Sequence, residues 1–72
     1  MPHVIVKMYP GRTEDQKIRL AEAITKSLVS IAVCSEDSVS VGIEEVAPDQ
    51  WDEKVYQPFI LNNESTLYKK TR

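Results

Sequence analysis

The stretch Ser38-Val39-Ser40-Val41-Gly42-Ile43-Glu44 decides the fold. Its side chains alternate at period two. Val39, Val41 and Ile43 point one way, and Ser38, Ser40, Gly42 and Glu44 point the other. Such alternation marks a strand, here over about residues 38–46. What precedes it gives the strand its place. Thr13-Glu14-Asp15-Gln16 has the form of a capping box, in which the threonine accepts from a free N–H of the first turn and the glutamine reaches back. Acidic Glu14 and Asp15 suit the positive start of a helix. Behind them Ile18, Ala21, Leu28 and Ala32 fall with Leu20, Ile24 and Ile31 at three- and four-residue spacing. That spacing predicts an amphipathic helix over about residues 13–33.

Further upstream, the β-branched run Val4-Ile5-Val6 ends at Tyr9-Pro10-Gly11. It predicts a first strand over about residues 2–8, closed by a turn. Alternation puts Pro2, Val4, Val6 and Met8 on one face and His3, Ile5, Lys7 and Tyr9 on the other. Both faces carry apolar groups, as in a strand covered on both sides. Strand, long helix, strand is a β-α-β unit of the α/β class, with parallel strands and a right-handed crossover. Ala47-Pro48-Asp49 breaks the second strand. Asp49 is expected to cap a short C-terminal helix carrying Trp51, Val55, Tyr56 and Phe59, which Pro58 interrupts or ends. The tail from Asn62 to Arg72 is polar and reads as mostly irregular, open to exchange with a neighbouring subunit. Its end, with Lys69, Lys70 and Arg72, reads as a solvated basic tail.

The 72 residues make one domain at most, 1–72. A chain of ~60 residues buries only about 60% of its unfolded surface, and small domains usually need disulfides, a metal or association. Cys34 is the single cysteine, so no internal disulfide forms. No Cys/His cluster exists to hold a structural metal. Association is therefore the expected source of further core. Two β-α-β units pairing strand to strand would give a four-stranded sheet with two helices on one face. The net charge of −2, from 9 Lys+Arg against 11 Asp+Glu, argues against a dedicated nucleic-acid binder. The apolar runs are too short to span a bilayer. With no signal-peptide pattern, a cytoplasmic setting fits best.

The chain begins Met1-Pro2. Methionine aminopeptidases remove the initiator before a small residue, and proline qualifies. The mature chain would then start with a secondary amine, able to act as a base without any side chain. Backbone amines have a reference pKa of about 7.7–8.0, and free proline amines are more basic. Burial and nearby cations disfavour the ammonium form, and Lys7 is a candidate for such a field. Many chains begin Met-Pro with no chemical consequence, so the proline needs company.

Company comes from the pattern as a whole. The start Met1-Pro2-His3-Val4-Ile5-Val6-Lys7, the turn Pro10-Gly11-Arg12-Thr13, the helix opening Glu14-Asp15-Gln16-Lys17 and the strand Ser38-Val39-Ser40-Val41 with Ile43-Glu44-Glu45-Val46 resemble the tautomerase superfamily. The resemblance is to 4-oxalocrotonate tautomerase and its small bacterial relatives, from Pro2 to about Trp51. It implies that the amino-terminal proline, Pro2, moves a proton from one atom of a small enol acid to another, without a cofactor. It implies that Arg12 binds the substrate carboxylate, a role to which a guanidinium is suited. Trp51 falls where an aromatic residue walls the pocket. Ser40 stands where 4-oxalocrotonate tautomerase has a second arginine, and is expected to donate a weaker, neutral hydrogen bond. The segment Asp52-Glu53-Lys54-Val55-Tyr56 replaces a glycine-rich hairpin. Both departures resemble the bacterial tautomerases of aryl or simple 2-enolpyruvates, which include dimers and hexamers.

The expected function is thus an enol–keto tautomerase of a small anionic 2-oxo acid, self-associating as a dimer or hexamer, with no nucleic-acid or membrane partner. Alternatives from the same superfamily are a hydratase, dehalogenase or decarboxylase, in which a charged proline acts as an acid. A non-catalytic oligomeric scaffold is the alternative from another class. Residues outside this reading have plainer roles. His3, the single histidine, faces away from Pro2 by alternation and reads as structural or interfacial. Trp51 also suits packing. Tyr56 and Tyr68 are phenols that nothing in their spacing ties to chemistry.

Overall fold

The computed structural model describes residues 1–71; the basic-tail reading of Arg72 lies outside the described residues. Strand β1 spans His3–Met8, helix α1 spans Glu14–Ile31 and strand β2 spans Ser40–Glu45. The strands pair in parallel, from His3 opposite Ser40 to Met8 opposite Glu45. One bond beyond each end prolongs the ladder. The Ser40 N–H donates to the Pro2 carbonyl at 3.2 Å, and the Val46 N–H donates to the Met8 carbonyl at 2.9 Å.

α1 starts as the capping box requires. Gln16 N–H donates to Thr13 Oγ1 at 3.1 Å, and Thr13 N–H donates to Gln16 Oε1 at 2.9 Å. The stripe turned inward is Leu20, Ala21, Ile24, Thr25, Leu28 and Val29, all half-buried. Ile18, Ile31 and Ala32 were expected on that stripe, but they lie exposed. They satisfy the three- and four-residue spacing yet fall on its flank or past its end. Lys17 bridges Glu14 at 2.8 Å and Glu45 at 3.4 Å, tying the helix start to the end of β2. The hydrogen bond that Lys17 donates to Glu14, joined by the charges of both carboxylates, raises the lysine pKa above its ordinary 10.5.

The helix ends two residues before the expected boundary. Ala32 N–H donates to the Leu28 carbonyl at 3.0 Å, and Val33 then turns to φ 57°. A β-branched residue in the left-handed region is strained, by roughly 1–2 kcal/mol. Val33 is 83% exposed, so in the single chain its side chain returns little packing. Val33→Gly should therefore raise stability by about 0.5–1 kcal/mol, after the extra backbone entropy of glycine is counted. A shift of the urea midpoint to higher concentration checks this. A shift the other way would show that Val33 is packed in the assembled protein.

β2 starts two residues later than expected because Glu36–Ser38 form a 3₁₀ turn. Its Ser38 and Val39 N–H groups bond back to Ser35 and Glu36 at 3.1 Å each. The C-terminal segment departs more. Pro48–Gln50 form another 3₁₀ turn, entered at Ala47 without a side-chain cap. Asp49 lies inside that turn and caps nothing. A π-helix over Asp52–Ile60 follows, with Pro58 within it rather than at its end. An α-helical proline clashes with the carbonyl four residues back, and the wider π turn moves that carbonyl away. Leu61 N–H is then shared between the Gln57 and Tyr56 carbonyls. The tail is more ordered than expected at its start, since Leu61–Thr66 form 3₁₀ turns with a break at Asn63. Beyond them residues 67–71 are irregular.

The sheet has one covered face. Val4, Val6, Val41 and Ile43 are half-buried on the helix side. The other face carries His3, Ile5 and Lys7 beside Ser40, Gly42 and Glu44. Cover on both sides was expected, yet Ile5 remains 48% exposed. Only at the far end does the C-terminal segment reach this face, where Lys7 Nζ sits 4.5 Å from the centroid of Phe59. Among the described residues Val55 alone is buried, at 5% exposure. No helix among the described residues is long and apolar enough to cross a membrane.

Candidate active site

Parallel strands put both of their starts at one edge of the sheet and both of their ends at the other. The candidate residues divide accordingly. Pro2, His3 and Ser40 gather at the first edge. Arg12 and Trp51 gather at the second. β1 rises roughly 3.3 Å per residue, so about 16 Å separates His3 from Met8.

At the second edge, Lys7, Met8, Tyr9, Arg12 and Trp51 line a cavity of about 330 Å³. Its frame follows from local sequence. Gly11 at φ 129° takes the turn after β1 and delivers Arg12 to the rim. Pro48 starts the turn after β2, which delivers Trp51. Tyr9 and Trp51 meet edge to face, with ring centroids 5.1 Å apart and planes at 90°. Contacts of this kind are worth about 0.5–1.5 kcal/mol beyond the area they bury.

The cations here differ. Lys7 is paired with Glu44 at 2.8 Å. Arg19 is paired with Asp15 at 3.0 Å. Among the described residues Arg12 has no carboxylate partner. A guanidinium is suited to bidentate pairing with a carboxylate.

At the first edge, Pro2 is half-buried and Met1 is fully exposed. His3 Nδ1 and Ser40 Oγ share a hydrogen bond of 2.6 Å. Lys7 does not lend its charge to the Pro2 of its own chain. It lies five residues along the strand, at the other edge, and is neutralised by Glu44. Tyr68 is wholly exposed in the tail.

Sequence reasoning grouped Pro2 with Arg12 and Trp51. Within one chain the structure brings Arg12 and Trp51 together and leaves Pro2 with Ser40 at the opposite edge. It also adds Tyr9 and the His3–Ser40 bond, which sequence reasoning missed. A signal for Tyr9 was present. An aromatic just before the turn after β1 and another just after β2 must fall at the same edge of a parallel pair.

Comparison with known proteins fixes the class. The family model described as "Tautomerase enzyme" matches residues 2–52. The chain belongs to the tautomerase family. "Tautomerase PptA" of Pectobacterium carotovorum subsp. carotovorum (strain PC1) is 39% identical over 71 residues, covering 97% of this chain and 93% of that protein. "2-hydroxymuconate tautomerase" of Bacillus subtilis (strain 168) is 41% identical over 51 residues, covering 71% of this chain and 82% of that protein. The crystal structure of YwhB, a homologue of 4-oxalocrotonate tautomerase, superposes with a TM-score of 0.65 at 42% identity, covering 67% of this chain and 79% of that one. The likeness to PptA thus continues through the tail, beyond the length shared with the 2-hydroxymuconate enzyme. Tautomerases are isomerases, so this tautomerase-family chain has the chemistry of proton transfer within one molecule.

Proposed function

We propose that this tautomerase interconverts the enol and keto forms of a small anionic 2-oxo acid without a cofactor. Pro2, freed by removal of Met1, is the base. Arg12 binds the carboxylate, and Trp51 with Tyr9 walls the pocket. The observation that carries the reading is the unpaired Arg12 on the rim of a cavity of about 330 Å³, which lies at the small end for ligand sites. A small acid suits that volume, and an aryl ring suits the Tyr9–Trp51 walls. The likeness to PptA runs along the tail, past the length shared with the 2-hydroxymuconate enzyme, which supports a substrate other than 2-hydroxymuconate.

The site is completed between chains. Pro2 of one chain and Arg12 of the same chain lie at opposite edges, too far apart to hold one small acid. Two chains placed with opposite edges together satisfy both requirements. Exposed Ile5, Ile31, Val33, Phe59 and Leu61 support such association, as does a single chain with so little buried core. Dimer and hexamer both suit this reading. The single cysteine, which forms no internal disulfide, supports a cytoplasmic setting, with 1–72 acting as one domain.

The test is the ketonisation of phenylenolpyruvate, followed by absorbance, with protein shown by intact mass to begin at Pro2. Turnover well above the buffer rate is expected. A flat trace from correctly processed protein would remove the enol–keto assignment.

A further inference from the structure

One cation on the cavity wall is occupied before any ligand arrives. Lys7 and Arg12 are the two charged residues that line the cavity of about 330 Å³. Among the described residues Arg12 has no carboxylate partner. The sheet gives Lys7 one. It stands directly opposite Glu44 in the parallel register, on the face away from α1. Its Nζ lies 2.8 Å from Glu44 Oε1. The same Nζ sits 4.5 Å from the centroid of the Phe59 ring. A carboxylate and the negative face of an aromatic ring therefore hold the ammonium group together.

The state of Lys7 decides what kind of acid the cavity suits. With Lys7 free, the wall would present two positive charges, and an acid with a carboxylate at each end would match them. With Lys7 paired, Arg12 alone supplies net charge. What Lys7 then offers the cavity is its methylene stem, beside Met8, Tyr9 and Trp51. The Lys7 side chain is 24% exposed against 56% for Glu44. Solvent therefore screens the lysine less than its partner. A second carboxylate entering beside Lys7 must displace Glu44 and then lie next to that like charge. A charge placed against the wrong ligand is one of the ways in which a site discriminates.

We propose that Glu44, acting through Lys7, sets the charge class of the substrate. The site takes 2-oxo acids that carry one carboxylate and turns away those with a second at the far end, a selection that rests on the reading of Arg12 as the carboxylate contact. Glu44 is then a specificity-determining residue that works without touching the favoured substrate. It holds the second cation of the wall out of use.

The probes are 2-oxopentanoate and 2-oxoglutarate, which share a five-carbon chain and differ at its end, a methyl against a second carboxylate. Binding is read by the fluorescence of Trp51, the single tryptophan and part of the cavity wall; no turnover is needed. Wild type should bind 2-oxopentanoate the tighter of the two. Glu44→Gln keeps the shape of the side chain and frees Lys7. It should move the ratio of affinities toward 2-oxoglutarate by about 3–5-fold, the upper range for a partly exposed ion pair. Lys7→Met keeps an unbranched stem against Phe59 and leaves Glu44 unpaired, so the ratio should move the other way. The double variant removes both charges and should return close to wild type. Raised salt should shrink the Glu44→Gln shift. Circular dichroism and native mass confirm that each variant folds and assembles. A ratio that does not move in Glu44→Gln, or a shift that persists in the double variant, would overturn the role of Glu44. So would wild type in which neither acid alters Trp51 fluorescence. Phenylenolpyruvate turnover is measured on the same samples. If the ratio moves as expected and wild type does not turn over, the enol–keto assignment fails while the charge selection stands. If wild type turns over and the ratio stays fixed, the charge selection alone fails.

Discussion

Pro2→Ala should lower the ketonisation of phenylenolpyruvate by about 10²-fold or more, with the fold and assembly unchanged. A positioned general base contributes roughly 10²–10⁴. Alanine at the start of the processed chain leaves a primary amine, which keeps part of that contribution but is less basic and less rigidly held. The loss therefore falls at the lower end of the range. Stability should survive, because the bond that anchors residue 2 runs from the Ser40 N–H to a backbone carbonyl that alanine retains. A chain that retains Met1 offers a sharper control. Its Pro2 nitrogen is an amide without useful basicity, so turnover should vanish with no residue substituted. The dependence on pH separates this reading from the other superfamily reactions. A neutral amine acting as base gives a rate that rises as pH passes upward through the amine pKa. A charged proline acting as acid in hydration, dehalogenation or decarboxylation gives a rate that falls. Turnover unchanged in Pro2→Ala would leave the scaffold, or a base elsewhere, as the account of this chain.

The β-α-β unit was legible because three local signals agreed. The Thr13–Gln16 capping box, the period of α1 and the alternation through Val39, Val41 and Ile43 each pointed to the same order of elements. What lay beyond Ala47 was less legible. Asp49 and Pro58 have strong local preferences, but a turn led by Pro48 absorbed the first and a π-helix absorbed the second. The left-handed Val33 had no signal at all, since valine is among the last residues expected there. Arg12 and Trp51 were candidates from the resemblance, and parallel topology brought them to one edge. The same topology separated them from Pro2, and the reading of single residues had not carried that consequence through. His3 and Ser40 were each visible as candidates. Their bond was not, because alternation assigned His3 to the face away from Pro2 without asking what stood opposite it.

Mixing two impaired variants should restore activity. Arg12→Ala removes the carboxylate contact, and charge-assisted bonds of this kind contribute about 1.5–3 kcal/mol, so kcat/KM should fall about 10–100-fold. Pro2→Ala removes the base. Each variant alone is impaired at every site. If a working site takes Pro2 from one chain and Arg12 from another, chains mixed at random before assembly rebuild intact sites. Half of the chains supply a sound proline and half a sound arginine, so about a quarter of the sites should be intact, whatever closed symmetry the assembly has. The two variants should therefore regain about a quarter of wild-type turnover after joint denaturation and refolding, or after co-expression, and little when simply combined if exchange is slow. The opposite geometry makes a different forecast. Were Pro2 and Arg12 of one chain to serve one site, every site in the mixture would lack one or the other, and activity would stay at the level of the variants. The span of β1 decides between these. Six residues of extended strand stand between the two groups, and no rotamer of an arginine bridges that distance while also holding a small acid against the amine. Recovery on mixing would thus establish both the roles of the two residues and the sharing of the site. Its absence, with both single variants impaired and chains shown to mix, would overturn the sharing of the site between chains.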